Sequence, residues 1–225
     1  MLIVSPGWLA PAIAGMLGLG FGIFAAAVVD RWPRGEPVLR SRQRRGGCTG
    51  PLIASACAAT AAAVVAFLEV TWEALAVAAL ALTLIPVVVV DLRHRLIPDL
   101  LVVPATAVAL PAAALADPAA WWLPVVCALG SGGFMLALWI IHPPGMGLGD
   151  VKLAALMGAA LGPSVIPALA VAFGGGTLLG LALLARMGLR ARAVAVPFGP
   201  FLAAGALAAL WAGQPMLDWY AATLV

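Results

Sequence analysis

Two aspartates, Asp91 and Asp150, stand at the ends of long apolar runs, where a carboxyl group could do chemistry. A carboxylate at the mouth of an apolar segment costs free energy unless water, a partner or a reaction explains it. Two such groups brought together cannot both ionise cheaply, so the pair shares one proton. One member can then act as a general base towards water and the other as a general acid towards a carbonyl oxygen. That is the aspartic-protease mechanism of amide hydrolysis, without a covalent intermediate or a metal.

Structural roles for both acids stay open on residue type alone. Asp150 follows a glycine-rich stretch and could cap the N-terminus of a membrane helix. Asp91 precedes Arg95 by four positions and could pair with it if that segment is helical. A catalytic role therefore requires evidence, from the rest of the sequence, that both acids lie at the same membrane depth.

The other polar residues near these acids are better explained by structure. Asp99 follows Pro98 and opens an apolar run, which favours an N-cap role. Lys152 lies two positions after Asp150, so on a helix it points to a different face, as a membrane-boundary anchor first and a substrate contact second. His94 and His142 have neither a nucleophile motif nor metal-ligand spacing nearby.

Composition predicts a polytopic helical membrane protein, an all-α bundle. The 225 residues are 64% apolar and 9% charged, and the mean hydropathy is +1.13. No soluble domain of this size needs so much apolar sequence, and strand-like alternation is missing, which argues against a barrel. We expect one membrane-embedded domain over 1–225 with a short basic loop at about 30–50. Three cysteines without a CxxC pair support neither a disulfide framework nor a zinc site, and no nucleic-acid partner is expected.

Eight spans of roughly 20 residues are predicted. The longest apolar run, 151–185, must be divided, and the Gly162-Pro163-Ser164 turn is the preferred break, with Gly174-Gly175-Gly176 as the alternative. The first run is interpreted as a retained span rather than a signal peptide. The predicted spans are about 8–29, 51–68, 74–90, 100–116, 121–141, two within 151–185, and 197–212.

Charge placement predicts the orientation. If the N-terminus lies outside and the chain crosses eight times, all 12 Lys and Arg residues fall in the inner loops. The outer turns then carry only acids, and this bias is the one that cytoplasmic loops show. It predicts that Asp91 and Asp150 both lie at the cytoplasmic face. The outer acids are Glu69, Glu73, Asp117 and Asp218.

The segment from Asp91 to Asp99 (DLRHRLIPD), together with the stretch from Gly147 to Leu153 (GLGDVKL), resembles the paired aspartate motifs of bacterial prepilin peptidases, the type IV leader peptidases. The second stretch contains the GxGD motif shared with intramembrane aspartic proteases. Two further pieces, 21–36 and the Pro-Phe-Gly-Pro-Phe sequence at 197–201, are similar to other motifs of that family. GxGD alone is a weak signal, whereas the motifs in this order cover most of the chain.

The resemblance implies a membrane peptidase of the bacterial inner membrane. It would cleave the short basic leader of type IV prepilins and pseudopilins, after a glycine, at the cytoplasmic face, with Asp91 and Asp150 as the catalytic pair. Weaker candidates for substrate binding or support are Gly147, Gly149, Lys152, Asp99 and Glu36.

The chain departs from the family in its first loop. Many members carry a larger cytoplasmic domain there, with two CxxC pairs, and N-methylate the new N-terminus with S-adenosylmethionine. Here the loop is about twenty residues long, with Cys48 and then Cys57 nine positions later. We therefore expect no zinc and no cofactor, and a peptidase without methyltransferase activity.

A small proton- or ion-coupled transporter is the alternative function, because intramembrane carboxylates and Gly/Pro breaks also mark ion pathways. Transport sites favour the bilayer midplane, whereas both aspartates are predicted at one face. No inverted repeat relates the two halves of the chain.

Overall fold

The described part of the structure, a computed structural model, is built from α-helices, with no strand in the residues that it covers, 9–31, 49–68, 70–143, 146–188 and 196–224. The predicted all-α fold is therefore confirmed, and the described residues form eight α-helices. They are α1 Leu9–Arg31, α2 Thr49–Leu68, α3 Trp72–His94, α4 Asp99–Ala116, α5 Leu123–Ile141, α6 Leu148–Leu161, α7 Val165–Met187 and α8 Gly199–Leu224.

The predicted break in the longest apolar run is confirmed at Gly162–Ser164, a single 3-10 turn between α6 and α7. Gly162 has a φ of 56° there, a left-handed conformation that glycine adopts without steric cost. The alternative break, Gly174–Gly176, lies inside the continuous helix α7. By length and composition, six helical segments of the described chain can cross a membrane, because α6 and α7 count as one 40-residue segment and the apolar part of α8 is short.

Two helices continue past the predicted ends of their membrane spans. Helix α3 runs past Val90 to His94, so Asp91 lies within its last turn rather than after it. The helix ends where Arg95 adopts a left-handed conformation and its N–H bonds the Asp91 carbonyl oxygen at 2.8 Å, which is a common helix stop. Helix α8 continues beyond residue 212 to Leu224 and contains Pro215.

Neighbouring helices pair along the chain, and α6 lies among them. The main pairs are α1 with α2, α3 with α4, α5 with α6, and α7 with α8, while α6 also packs on α3, α4 and α8. Helix α6 has 14 residues, or about 21 Å, which is less than the roughly 30 Å hydrocarbon layer. At least one end of α6 is therefore recessed from the membrane surface.

Two apolar clusters form the interior. The larger one joins side chains of α3 to α8, including Leu153 and Met157 of α6, which are fully buried. The smaller one joins α1 and α2 to Val90 of α3 and Leu101 of α4. The α1–α2 hairpin therefore packs beside the C-terminal end of α3, next to Asp91.

Small residues allow the closest helix crossings. At the α5–α6 crossing, a Cβ on Gly158 would overlap the Cys127 carbonyl group and the Ser131 hydroxyl. The Ser131 Oγ lies within hydrogen-bonding distance of the Cys127 and Ala154 carbonyl oxygens, at 2.7 and 2.8 Å. Gly18 and Gly22 of α1 meet α2 in the same way. These glycines serve contacts within the chain, as small residues do in membrane helices.

Gly158→Ala is expected to destabilise the protein, because the added methyl group must displace the α5 backbone. Overpacking of this kind costs about 1–3 kcal/mol. Gly174→Ala is the matched control, since no heavy atom lies within 4 Å of the Cβ that it would add. Thermal unfolding in detergent should show a lower midpoint for the first variant alone, and equal midpoints would contradict the close crossing.

Candidate active site

Four helix ends meet at one end of the bundle. The Gly199 N–H at the start of α8 donates to the Asp91 carboxylate in the last turn of α3. The Lys152 ammonium in the first turn of α6 donates to Asp99, the first residue of α4. These two bonds link segments 108 and 53 residues apart. They place Asp91 and Asp150 at the same end of the bundle, as the charge pattern predicts; which side of the membrane this end faces stays a prediction.

Asp91 is held through both its backbone and its side chain. Its carbonyl oxygen accepts the helix-ending bond from Arg95, and its Oδ2 accepts the Gly199 N–H at 2.8 Å. The residue is 5% exposed. The sequence left open an ion pair between Asp91 and Arg95. The structure describes both residues, and they do not form this pair. Asp91 therefore depends on a backbone donor rather than on a basic side chain.

Asp150 lies in the third position of α6, not at the N-cap. Gly147 occupies the N-cap in an extended conformation, and its N–H donates to the Asp150 Oδ2 at 3.1 Å. The N-cap interpretation of Asp150 is thus wrong in detail, because the helix starts three residues earlier than that role needs. The carboxylate reaches back from the third position instead, which still satisfies a helix-start donor. Asp150 is 7% exposed.

The two carboxyl groups lie at the same end of the bundle, one in the last turn of α3 and the other in the first turn of α6. Each group has one oxygen, Oδ2, bonded to a backbone N–H. No buried side-chain oxygen among the described residues lacks a hydrogen-bond partner, so the second oxygen of each carboxyl retains contact with solvent. The arrangement fixes one side of each group and leaves the other side available to water.

Asp99 and Lys152 form an ion pair at the rim, with 2.6 Å between Nζ and Oδ2. The predicted N-cap role of Asp99 is wrong, because Pro98 is the N-cap and no side chain caps α4. The carboxylate of Asp99 is used instead by Lys152, a partner that local sequence does not indicate. The pair is about half exposed and joins the first turns of α4 and α6 beside Asp150.

The two GxGD glycines have different roles. A Cβ on Gly149 would lie 2.6 Å from the Ile97 Cβ, so its missing side chain lets α6 start against the segment between α3 and α4. Gly147 supplies the N–H that Asp150 accepts.

Among the described residues, neither histidine forms a hydrogen bond or an ion pair with Asp91 or Asp150. His94 and His142 are exposed, and Glu36 and Cys48 lie outside the described residues. No group of three or more His, Cys, Asp or Glu side chains that could hold a metal ion occurs in the part of the chain that the structure describes.

Gly199 is the site residue that the sequence analysis did not single out. It appeared there only inside the Pro-Phe-Gly-Pro-Phe sequence. A glycine followed by proline at the start of an apolar run is a usable signal, because proline favours the first helical turn. What the glycine's own N–H would bond could not be read from that pattern.

Comparison with known proteins gives a family match over the part of the chain that carries the site residues. The profile of the type IV leader peptidase family matches residues 78–210, which include both aspartates, Asp99, Lys152 and Gly199. No solved structure matches the chain significantly.

Curated relatives of this chain carry the name prepilin leader peptidase/N-methyltransferase. The protein of Pseudomonas putida is 32% identical over 79% of this chain and 67% of its own length. That of Stutzerimonas stutzeri is 34% identical over 73% and 59%, and that of Aeromonas salmonicida strain A449 is 30% identical over 84% and 70%. The matched part covers between 50% of the relative's own length, for the Legionella pneumophila protein, and 70%, for the Aeromonas salmonicida protein. The chain therefore spans about half to seven tenths of the length of such relatives. On these matches, the chain belongs to the type IV leader peptidase family.

Proposed function

We propose that this protein is a membrane aspartic endopeptidase that removes the basic leader of type IV prepilins or pseudopilins. The observation that carries the proposal is the pair of buried carboxyl groups, Asp91 and Asp150, which two helices bring to the same end of the bundle. Membership of the leader peptidase family supports the substrate class. It also favours a peptidase over a proton-coupled transporter.

The geometry supports water activation by the pair. With one proton shared between them, the ionised carboxyl takes a proton from water, and the protonated one donates to the scissile carbonyl oxygen. The backbone donors Gly147 and Gly199 hold one oxygen of each group, so the other oxygens have a fixed direction towards the water and the peptide. Such positioning is a large part of catalysis, because the reacting groups need little rearrangement.

The Asp99–Lys152 ion pair is proposed as support for this site. It ties the start of α4 to the start of α6, two residues after Asp150. Gly149 serves the same junction by letting Ile97 approach. A direct contact of Asp99 or Lys152 with the basic leader is the competing role, and Glu36 stays a candidate for that role from sequence alone.

No cofactor is assigned to the proposed cleavage. S-adenosylmethionine, the methyl donor that the family resemblance implies, fits neither of two cavities among the described residues. One, of about 160 Å³, lies at the opposite end of the bundle beside Glu73 and Asp117, and is smaller than the roughly 300 Å³ of small ligand sites. The other, of about 520 Å³ between α5 and α7, has no charged residue in its lining. The proposed activity is therefore that of a peptidase alone.

Asp91→Asn and Asp150→Asn are each expected to abolish leader cleavage, since asparagine keeps the size of the side chain but cannot cycle a proton. Each variant would be co-expressed with a tagged prepilin, and the loss of the leader followed as a size shift on a gel. Membrane insertion, measured by fractionation, should be unchanged. Cleavage that persisted in either variant would rule out the paired mechanism.

Reversing the rim ion pair distinguishes a structural role of Asp99 and Lys152 from direct contact of these residues with the substrate. Asp99→Asn and Lys152→Ala should each lower kcat/KM by about two- to fivefold, the range expected for an exposed ion pair. The double variant Asp99→Lys/Lys152→Asp restores the pair with opposite polarity and should recover most of the loss. If the reversed pair were slower than both single variants, Asp99 and Lys152 would contact the leader directly.

The proposed cytoplasmic position of the site is tested by labelling. Arg93→Cys lies beside the carboxyl pair and Ala119→Cys lies near the far end of α4, and both positions are exposed. In a background with the three native cysteines replaced by alanine, a membrane-impermeant thiol reagent should label position 119 in intact cells. It should label position 93 only after lysis, and the opposite pattern would invert the orientation.

A further inference from the structure

Helix α8 reaches the carboxyl pair through one residue, Gly199. Its backbone N–H donates to the Asp91 Oδ2 at 2.8 Å in a buried setting. We propose that Gly199 is a positioning residue: its N–H orients the Asp91 carboxylate, and its missing side chain is required for that contact. The inference rests on the proposed function and adds the last helix to the site.

The contact leaves no room for a side chain. An ideal Cβ on Gly199 would lie 2.8 Å from the Asp91 Oδ2 and 3.2 Å from both Cβ and Cγ of Asp91. The first distance is below what real Cβ atoms show, so even alanine forces Asp91 or the start of α8 to move. Either movement lengthens the N–H···Oδ2 bond and turns the carboxylate.

The first turn of α8 makes Gly199 the available donor. The four first N–H groups of a helix have no partner within it. Pro200 has no N–H, and the N–H groups of Phe201 and Leu202 already bond the Phe198 carbonyl oxygen at 3.0 and 3.1 Å. The Gly199 N–H is therefore the remaining donor of this turn, and Asp91 satisfies it.

Packing holds this turn in place. The Phe198 ring contacts the Phe173 ring of α7, with 5.3 Å between centroids, and the Phe201 ring, with 6.2 Å between centroids. Leu202 is fully buried in the larger cluster. Because aromatic contacts fix the residues on both sides, the Gly199 N–H has a defined direction towards Asp91.

Gly213 provides a matched control within the same helix. Its added Cβ would lie 2.8 Å from the Cβ and Oγ of Ser164, as tight as the contact at Gly199, but in the middle of α8, beside the turn between α6 and α7. Gly199→Ala should lower kcat by about tenfold or more, since a displacement of about 1 Å can cost a hundredfold, with KM within about twofold. Gly213→Ala should keep kcat per folded enzyme, whatever its thermal stability.

Three results of the kinetic experiment would overturn the inference. They are an unchanged kcat in Gly199→Ala, an equal loss of kcat in Gly213→Ala, or a loss confined to KM. If the parent enzyme cleaves no prepilin, or cleaves it after Asp91→Asn, the proposed function itself fails, which is a different result.

Hydrogen exchange tests the bond without a Gly199 variant and without activity. The Gly199 amide hydrogen should exchange slowly in the parent and in Asp91→Asn, whose side-chain oxygen still accepts. It should exchange at least about tenfold faster in Asp91→Ala, where the acceptor is gone. Equal protection in the parent and Asp91→Ala would show that Asp91 does not hold this donor, and the inference would fall.

Discussion

The free-energy cost of burying carboxyl groups at the end of an apolar bundle constrains the rest of this structure. Moving a carboxylate out of water costs several kcal/mol unless hydrogen bonds replace its hydration. Asp91 and Asp150 are both nearly inaccessible, and each receives one backbone N–H, from Gly199 and Gly147. Hydrogen bonds to a charged group are worth about 1.5–3 kcal/mol. One bond offsets part of the cost, and the open second oxygen of each group leaves room for water to offset more.

Both donors lie at helix starts, where backbone N–H groups lack partners within the helix. Each of these hydrogen bonds therefore satisfies two groups, because the N–H at the helix start gains an acceptor and the carboxylate gains a donor. Backbone donors also suit a catalytic pair, since a basic side chain bonded directly to a carboxylate would favour its ionised form and oppose a shared proton. At this end of the bundle Lys152 is paired with Asp99, and Arg95 forms no ion pair with Asp91.

Small residues make these approaches possible. Gly149 lets the first turn of α6 meet Ile97, and Gly199 lets α8 meet Asp91. At the α5–α6 crossing, Gly158 permits backbone contact that positions α6 in the centre of the bundle. Gly149 and Gly158 therefore permit close packing of the helix that carries Asp150, whereas Gly199 directly contacts Asp91.

The sequence alone determined the helical class, the break at residues 162–164 and the meeting of Asp91 and Asp150 at one end. Those properties follow from hydropathy, turn residues and the placement of charge, which are local or additive along the chain. Only the tertiary structure decided which groups each acid bonds. Asp99 pairs with Lys152 and Asp91 with the Gly199 N–H, across 53 and 108 residues. Neither pairing has a local signature, because a backbone donor has no side chain to mark it and an N-terminal Asp resembles a cap until its distant partner is in place.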